Sequence, residues 1–149
     1  MRSILCVLFL LLMMGTVPAW AVLGEYESSV SVDQQVLRGQ RREVAQTGYK
    51  MHQITGADGT VVKEFVSPEG KVFGISWQAP TMPNMDQLLG ANMAELSQAL
   101  QGRTRRHGGP LVVQTPKLVF VSGGHMRFFM GHAFVPSLVP SNVSVEVVR

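Results

Sequence analysis

From residue 48 onward, apolar and polar residues alternate in short runs that predict β-strands. Residues 49–54 (YKMHQI), 60–66 (TVVKEFV) and 71–77 (KVFGISW) each have the length and pattern of a strand with at least one buried face. Residues 58–59 (Asp-Gly) and 67–70 (Ser-Pro-Glu-Gly) separate them and are typical of tight turns. Three strands joined by two tight turns predict an antiparallel meander.

The period of the pattern changes at residue 84. Asn84 is a typical helix N-cap, with Gln87 as its capping-box partner, and Gly102 suits the C-terminal end. Between them, apolar residues recur at helical spacing and form one stripe, made by Met85, Leu88, Leu89, Met93, Leu96 and Leu100. Residues 85–101 are therefore predicted to form one main amphipathic helix that packs on the sheet.

The last third of the chain is again rich in β-forming residues. Strands are predicted at 111–114, 117–121 and 126–135, with a turn at 122–124, and 143–148 is predicted as a short final strand. The order of elements indicates an α+β fold, in which an antiparallel β-meander, one main helix and further C-terminal antiparallel strands form a layered domain.

The segment 22–47 is the least defined part of this domain. Ser28 and Ser29 can cap a short helix that extends to about residue 38. Residues 39–43 (GQRRE) are polar and are interpreted as a solvated loop.

The N-terminus has the features of a secretory signal peptide. Arg2 provides a positive charge, residues 4–14 (ILCVLFLLLMM) are apolar, and Ala19-Trp20-Ala21 matches a cleavage box. The apolar run is shorter than the roughly 20 residues that cross a bilayer. We therefore expect residues 1–21 to be removed and 22–149 to act as a single exported domain, periplasmic or secreted, without a stable transmembrane segment.

Export narrows the chemistry that is open to the protein. The only cysteine, Cys6, would leave with the signal peptide, so disulfides, thiol nucleophiles and cysteine zinc sites are not expected. The formal net charge of the whole chain is only +3, and an exported protein rarely meets nucleic acid. No nucleic-acid partner is therefore expected, and no sequence motif indicates a cofactor.

Several runs of residues resemble a known family. They are residues 58–67 (DGTVVKEFVS), 70–77 (GKVFGISW), 80–84 (PTMPN), 88–90 (LLG) and 123–127 (GGHMR). The chain is similar over nearly its whole mature length to a family of small exported bacterial proteins, labelled domain of unknown function 2844. The resemblance implies a single-domain periplasmic or secreted protein, and it implies no activity or site residue.

One cluster has plausible metal-ligand chemistry, namely His125, Met126, Met130 and His132. Thioether and imidazole ligands suit Cu(I), a soft ion, and Met126, Met130 and His132 would share one face of the predicted strand. Methionines on a strand face are more often part of a core, so core packing is the favoured interpretation.

Two further features are candidate binding surfaces. Trp77 lies at the strand-to-helix junction, where it either lines a groove or, as favoured here, anchors the helix on the sheet. Arg103, Arg105 and Arg106 form a basic loop that could meet an anionic partner, although a solvated loop is the simpler interpretation.

No catalytic motif is present, so no catalytic residue is assigned. The leading hypothesis is non-catalytic binding of an envelope protein or polymer. Copper binding and hydrolysis by a dispersed active site are the alternatives. The ligand and the oligomeric state do not follow from the sequence.

Overall fold

A computed structural model describes residues 23–102 and 108–149 of the chain. The predicted signal peptide, with Ala19 and Ala21, lies outside the described residues. Most of the basic loop, including Arg103, Arg105 and Arg106, also lies outside them.

The centre of the structure is one seven-stranded antiparallel sheet, in the order β1-β2-β3-β4-β7-β6-β5. Short helices accompany it, so the fold is mainly β with a few helices, within the α+β class. The strands are β1 (Gln40–Gln46), β2 (Tyr49–Thr55), β3 (Val61–Val66), β4 (Val72–Ala79), β5 (Leu111–Gln114), β6 (Val119–His125) and β7 (Phe128–Phe134). The α-helices are α1 (Val30–Val36), α2 (Met85–Leu89) and α3 (Asn92–Leu100). The 3-10 helices are Glu27–Ser29, Pro136–Leu138 and Val145–Val148.

The predicted meander is confirmed as β2, β3 and β4, with both turns in place. Asp58 Oδ1 accepts a hydrogen bond from the Thr60 amide at 2.9 Å, which fixes the first turn. The Gly70 amide donates to the Ser67 carbonyl at 2.9 Å and closes the second. These turns depend on short-range chemistry, which explains why the sequence pattern predicts them.

The loop predicted at residues 39–43 is wrong, because residues 40–46 form strand β1. This strand pairs with β2 in the register Glu43↔His52 and lies at the edge of the sheet. Nearly all of its side chains are exposed. A polar, charged strand suits a sheet edge, where it opposes pairing with other chains, but it lacks the apolar alternation of a half-buried strand.

The single helix predicted over 85–101 is also wrong. Asn84 caps it as predicted, with Oδ1 accepting from the Gln87 amide at 3.2 Å, but the first helix ends at Leu89. Gly90 has φ 48° and ψ −121°, a backbone conformation that only glycine adopts without strain, and it turns the chain before α3 begins. The apolar stripe is continuous in sequence and is divided between two short helices in space.

Two predictions in the C-terminal third need correction. The turn predicted at residues 122–124 is part of β6, and the chain reverses instead at Met126 and Arg127, where Arg127 has φ 63°. The strand predicted at 143–148 is wrong, because residues Val145–Val148 form a 3-10 helix. Local alternation here reflects packing of an irregular segment on the sheet.

The two faces of the sheet are covered by different parts of the chain. The helical face carries the larger core, in which Leu88, Leu89 and Leu96 of the helices lie with Val62 and Trp77 of the strands. The opposite face, called here the tail face, carries a smaller core covered by the C-terminal segment, with Phe65, Phe73, Phe134 and Val148 buried. None of the described helices has the length and apolarity needed to traverse a bilayer.

Candidate functional site

The tail face is covered over only part of its area. Val148 packs directly over Gly74 and beside Phe134, which closes one half of this face. Further along β4 and β7, Gln78 is exposed and Met130 retains 49% of its accessible surface. A seven-stranded sheet with one half-covered face leaves a surface that other molecules can reach.

A groove of about 480 Å³ lies on this uncovered half and is called here the open groove. Apolar and polar side chains from β3, β4, β6 and β7 form its walls, because alternate positions on neighbouring strands point to the same face. The walls include Val61, Lys63, Gln78, Val121, Met130 and His132. Pro110 and Arg149 also line it.

The open groove is cationic. Lys63 lies on β3 opposite Gln53 and Ser76 and forms no ion pair with any residue the structure describes. Arg149 also lines the groove, with its charge partly satisfied by Glu146 at 2.7 Å. The described residues that line the groove include no aspartate or glutamate. Burial, followed by the charge of Arg149, lowers the pKa of His132. The groove therefore favours an anionic or partly apolar ligand.

The structure separates the four residues of the candidate metal set. Met130 and His132 line the open groove, whereas Met126 is 90% exposed at the β6–β7 turn. His125 stacks on Phe128, with ring centroids 5.7 Å apart. Phe128 and His132 are four residue steps apart on β7, which corresponds to roughly 13 Å. Core packing is wrong as an interpretation for Met126 and Met130, because both are largely exposed.

Trp77 is part of the core of the helical face and is only 3% exposed. Its ring lies 5.6 Å from that of Phe120 and packs across Gly131, where a Cβ would have no room. The indole Nε1 is buried and has no hydrogen-bond partner among the described residues. Trp77 is therefore a core residue with little surface for contacting a ligand.

Under the helices lies a buried polar cluster that the sequence analysis missed. Asp33 of α1 is 2% exposed, Glu64 of β3 is 1% exposed, and Gln87 of α2 donates from Nε2 to Asp33 Oδ1. A sequence signal existed, since Glu64 alternates with Val62 and Val66 on an apolar strand face. An acid in the middle of a buried strand face requires a partner, and Asp33 and Gln87 lie far from it in sequence.

With their raised pKa values, the two buried carboxyls hold one proton between them at neutral pH. Burial, strengthened by the neighbouring charge of Asp33, raises the pKa of Glu64 to about 9. Burial raises the pKa of Asp33 to about 6. At neutral pH Glu64 is therefore protonated and Asp33 ionised, which leaves one negative charge for the pair. This arrangement joins α1, α2 and β3.

The comparison with family models identifies the class of the chain. Residues 19–148 match the family described as protein of unknown function (DUF2844), so the chain belongs to that family and the resemblance noted in its sequence is confirmed. No curated protein and no solved structure matches the chain significantly.

Proposed function

We propose that this is an exported, non-catalytic binding protein that holds a segment of a partner polypeptide in the open groove. The observation that carries the proposal is the uncovered half of the tail face. There, apolar side chains and Lys63 line a groove, and the described part of the chain offers Lys63 no ion-pair partner and the groove no aspartate or glutamate. The expected partner segment combines apolar side chains with an acidic residue, because these complement the floor and the charge of the groove.

A polypeptide fits the groove better than a sugar polymer. Sugar rings commonly bind by stacking on exposed Trp, Tyr or Phe rings. Among the described residues that line the groove, only Trp77 is of this type, and it is buried. The exposed thioether of Met130 instead suits a peptide, since methionine adapts its shape to different apolar side chains.

Export is part of the proposal. Residues 1–21 have the charge, apolar run and small-residue box of a signal peptide, and the family match begins only at residue 19. Leu23 is already buried, and its amide bonds to the Leu88 carbonyl at 3.2 Å. The mass of the protein recovered from the envelope or medium tests this, and a chain that begins at Val22 is the expected result.

A hydrolytic function receives less support from the geometry. The open groove has a histidine, His132, but the described residues that line it offer no aspartate or glutamate to orient the ring. His52 does lie beside two carboxylates, those of Glu27 and Glu43, but no hydroxyl group within the described ranges forms a hydrogen bond with it. A nucleophile–base pair needs both groups within hydrogen-bonding reach.

Affinity purification with charge-reversal variants tests the binding function. The tagged full chain, exported and recovered with its partners, should capture a reproducible protein that Lys63→Glu binds about tenfold more weakly, since one favourable charge contact becomes repulsive. Lys117→Glu is the matched control, because Lys117 is an exposed lysine outside the groove. Equal capture by both variants, or turnover of an envelope substrate without any reproducible partner, contradicts the proposal.

A further inference from the structure

We propose that Glu27, Glu43 and His52 form a binding site for a divalent transition-metal ion, with Zn²⁺ as the best match. The site lies at the edge of the helical face, away from the open groove. It involves none of the four residues that the sequence suggested as metal ligands.

Three separate elements bring these groups together. Glu27 comes from the 3-10 helix before α1, Glu43 from β1 and His52 from β2. The β1–β2 register places Glu43 directly opposite His52. One candidate ligand atom from each side chain lies within 4.8 Å of the other two. Ligand atoms around a tetrahedral Zn²⁺ are roughly 3.4 Å apart, so a small inward movement of the two carboxylates completes the set.

His52 supplies the independent observation that points to a ligand. Its side chain is only 1% exposed, and Nε2 lies 2.9 Å from Glu27 Oε1. Nδ1 faces Glu43 Oε2 at 3.7 Å and has no hydrogen-bond partner in the described chain. An unsatisfied buried ring nitrogen is costly, and a neutral imidazole always has one nitrogen lone pair available for a cation.

The carboxylates already attract a cation. Lys50 Nζ lies 2.6 Å from Glu27 Oε1 and 3.9 Å from Glu43 Oε1. The Lys50 side chain is 42% exposed, which leaves it free to move into solvent when a divalent ion takes its place.

The donor set selects the kind of ion. One imidazole nitrogen with two carboxylate oxygens is a three-ligand set of the type that binds Zn²⁺ with a fourth position open to water. Mg²⁺ prefers oxygen ligands alone, and Cu(I) prefers thioether or thiolate sulfur. The site should therefore prefer Zn²⁺ over Mg²⁺ and Cu(I).

Zn²⁺ titration of the purified full chain, followed by calorimetry, tests this site. One ion should bind per chain with micromolar affinity or better, and Glu43→Gln should weaken binding about tenfold or more. Lys50→Met should strengthen it, because the competing ammonium group is gone. This opposite sign separates a metal site from a role in folding, which both substitutions would affect in the same direction.

Two controls and one spectroscopic readout complete the experiment. Glu95→Gln removes a carboxylate from another lysine pair, and His132→Asn removes the histidine of the open groove, so neither should alter the affinity. The ¹⁵N resonances of the His52 ring should shift on addition of Zn²⁺. The proposal is overturned if no saturable one-to-one binding occurs in the micromolar range, if Glu43→Gln binds as tightly as the unaltered protein, or if His132→Asn abolishes binding.

Discussion

The two faces of the sheet are built from similar strands but are covered very differently. Helices α1, α2 and α3 lie over the helical face and bury a large core together with the Asp33–Glu64 pair. The tail face is covered by the C-terminal segment around Val148 and stays open beyond Ser76. The same sheet therefore has one face devoted to stability and one that is partly free for recognition.

This difference shows where a binding surface can exist with little loss of folding stability. On the helical face, the buried hydrogen bond between Gln87 and Asp33 joins two helices to each other, which helps to fix them in place. On the open half of the tail face, Lys63, Gln78 and Met130 remain hydrated and can exchange water for a ligand. Substitutions should then lower the free energy of unfolding strongly on the covered areas and only slightly in the open groove.

The largest contrast should appear within the tail face itself. Phe73→Ala is expected to lower the free energy of unfolding by about 4 kcal/mol, because Phe73 is fully buried under the C-terminal segment. Met130→Ala, in the open groove, should change it by less than about 0.5 kcal/mol. Denaturant unfolding measures both, and similar losses for the two variants would mean that the groove is not open.

The buried carboxyl pair should give the helical face a distinctive pH dependence. Glu64 ordinarily titrates near pH 4.5 and retains its proton in the folded protein to about pH 9. The folded state therefore binds more protons than the unfolded state within this interval, and the free energy of unfolding should fall as the pH rises through it.

Glu64→Gln should remove most of that slope. The glutamine amide keeps a donor for Asp33 without a carboxyl that must ionise, so the variant should be more stable than the unaltered protein by about 3 kcal/mol at pH 9. Glu25→Gln, at an exposed carboxylate, is the control. Unfolding curves between pH 5 and pH 9 measure the slope, and an unchanged slope in Glu64→Gln would refute the shared-proton arrangement.

Alanine substitutions at two glycines on the paired strands β6 and β7 compare the two faces of the sheet directly. Gly131→Ala should cost about 2 kcal/mol, since its Cβ would collide with the Trp77 ring and the Val121 carbonyl oxygen on the helical side. Gly123→Ala faces the open groove, where the nearest atom is Pro110 Cβ at 3.4 Å. Thermal unfolding should show a loss only for Gly131→Ala, and equal losses would remove the contrast between the faces.

The smallest expected effect concerns the cap of α2. Asn84→Ala should cost about 1 kcal/mol, because the Gln87 amide loses its hydrogen-bond acceptor at the start of a five-residue helix. Asn142→Ala, an exposed residue of the C-terminal segment, should be nearly neutral. Chemical denaturation of the two variants checks the difference.

Local chemistry explains which parts of this structure could be predicted from sequence. The β2–β4 meander, its two turns and the Asn84 cap depend on neighbouring residues, and the sequence pattern predicts them correctly. Strand β1 forms because β2 offers it a hydrogen-bonding edge, and no apolar alternation in residues 40–46 indicates this. Gly90 divides one apolar stripe into two helices through its backbone angles, which the helical spacing does not show.

The candidate sites were harder to predict for a related reason. Lys63 and His132 meet in one groove only because β3, β4, β7 and β6 lie side by side in an order that differs from their order in the chain. The pair Asp33–Glu64 and the cluster around His52 likewise join distant segments. The sequence contained partial signals, such as an acid in the apolar alternation of β3, but it did not contain their partners.

Site-specific photo-crosslinking in cells that produce the protein is the most direct test of the open groove. A photoreactive residue at Gln78, an exposed glutamine in the groove, should crosslink to a partner polypeptide, and the crosslink should weaken with Lys63→Glu. The same photoreactive residue placed at Gln98, an exposed glutamine on α3, should form no crosslink to the partner. Crosslinking at position 98 but not at position 78 would contradict the account, because it would place recognition on the helical face.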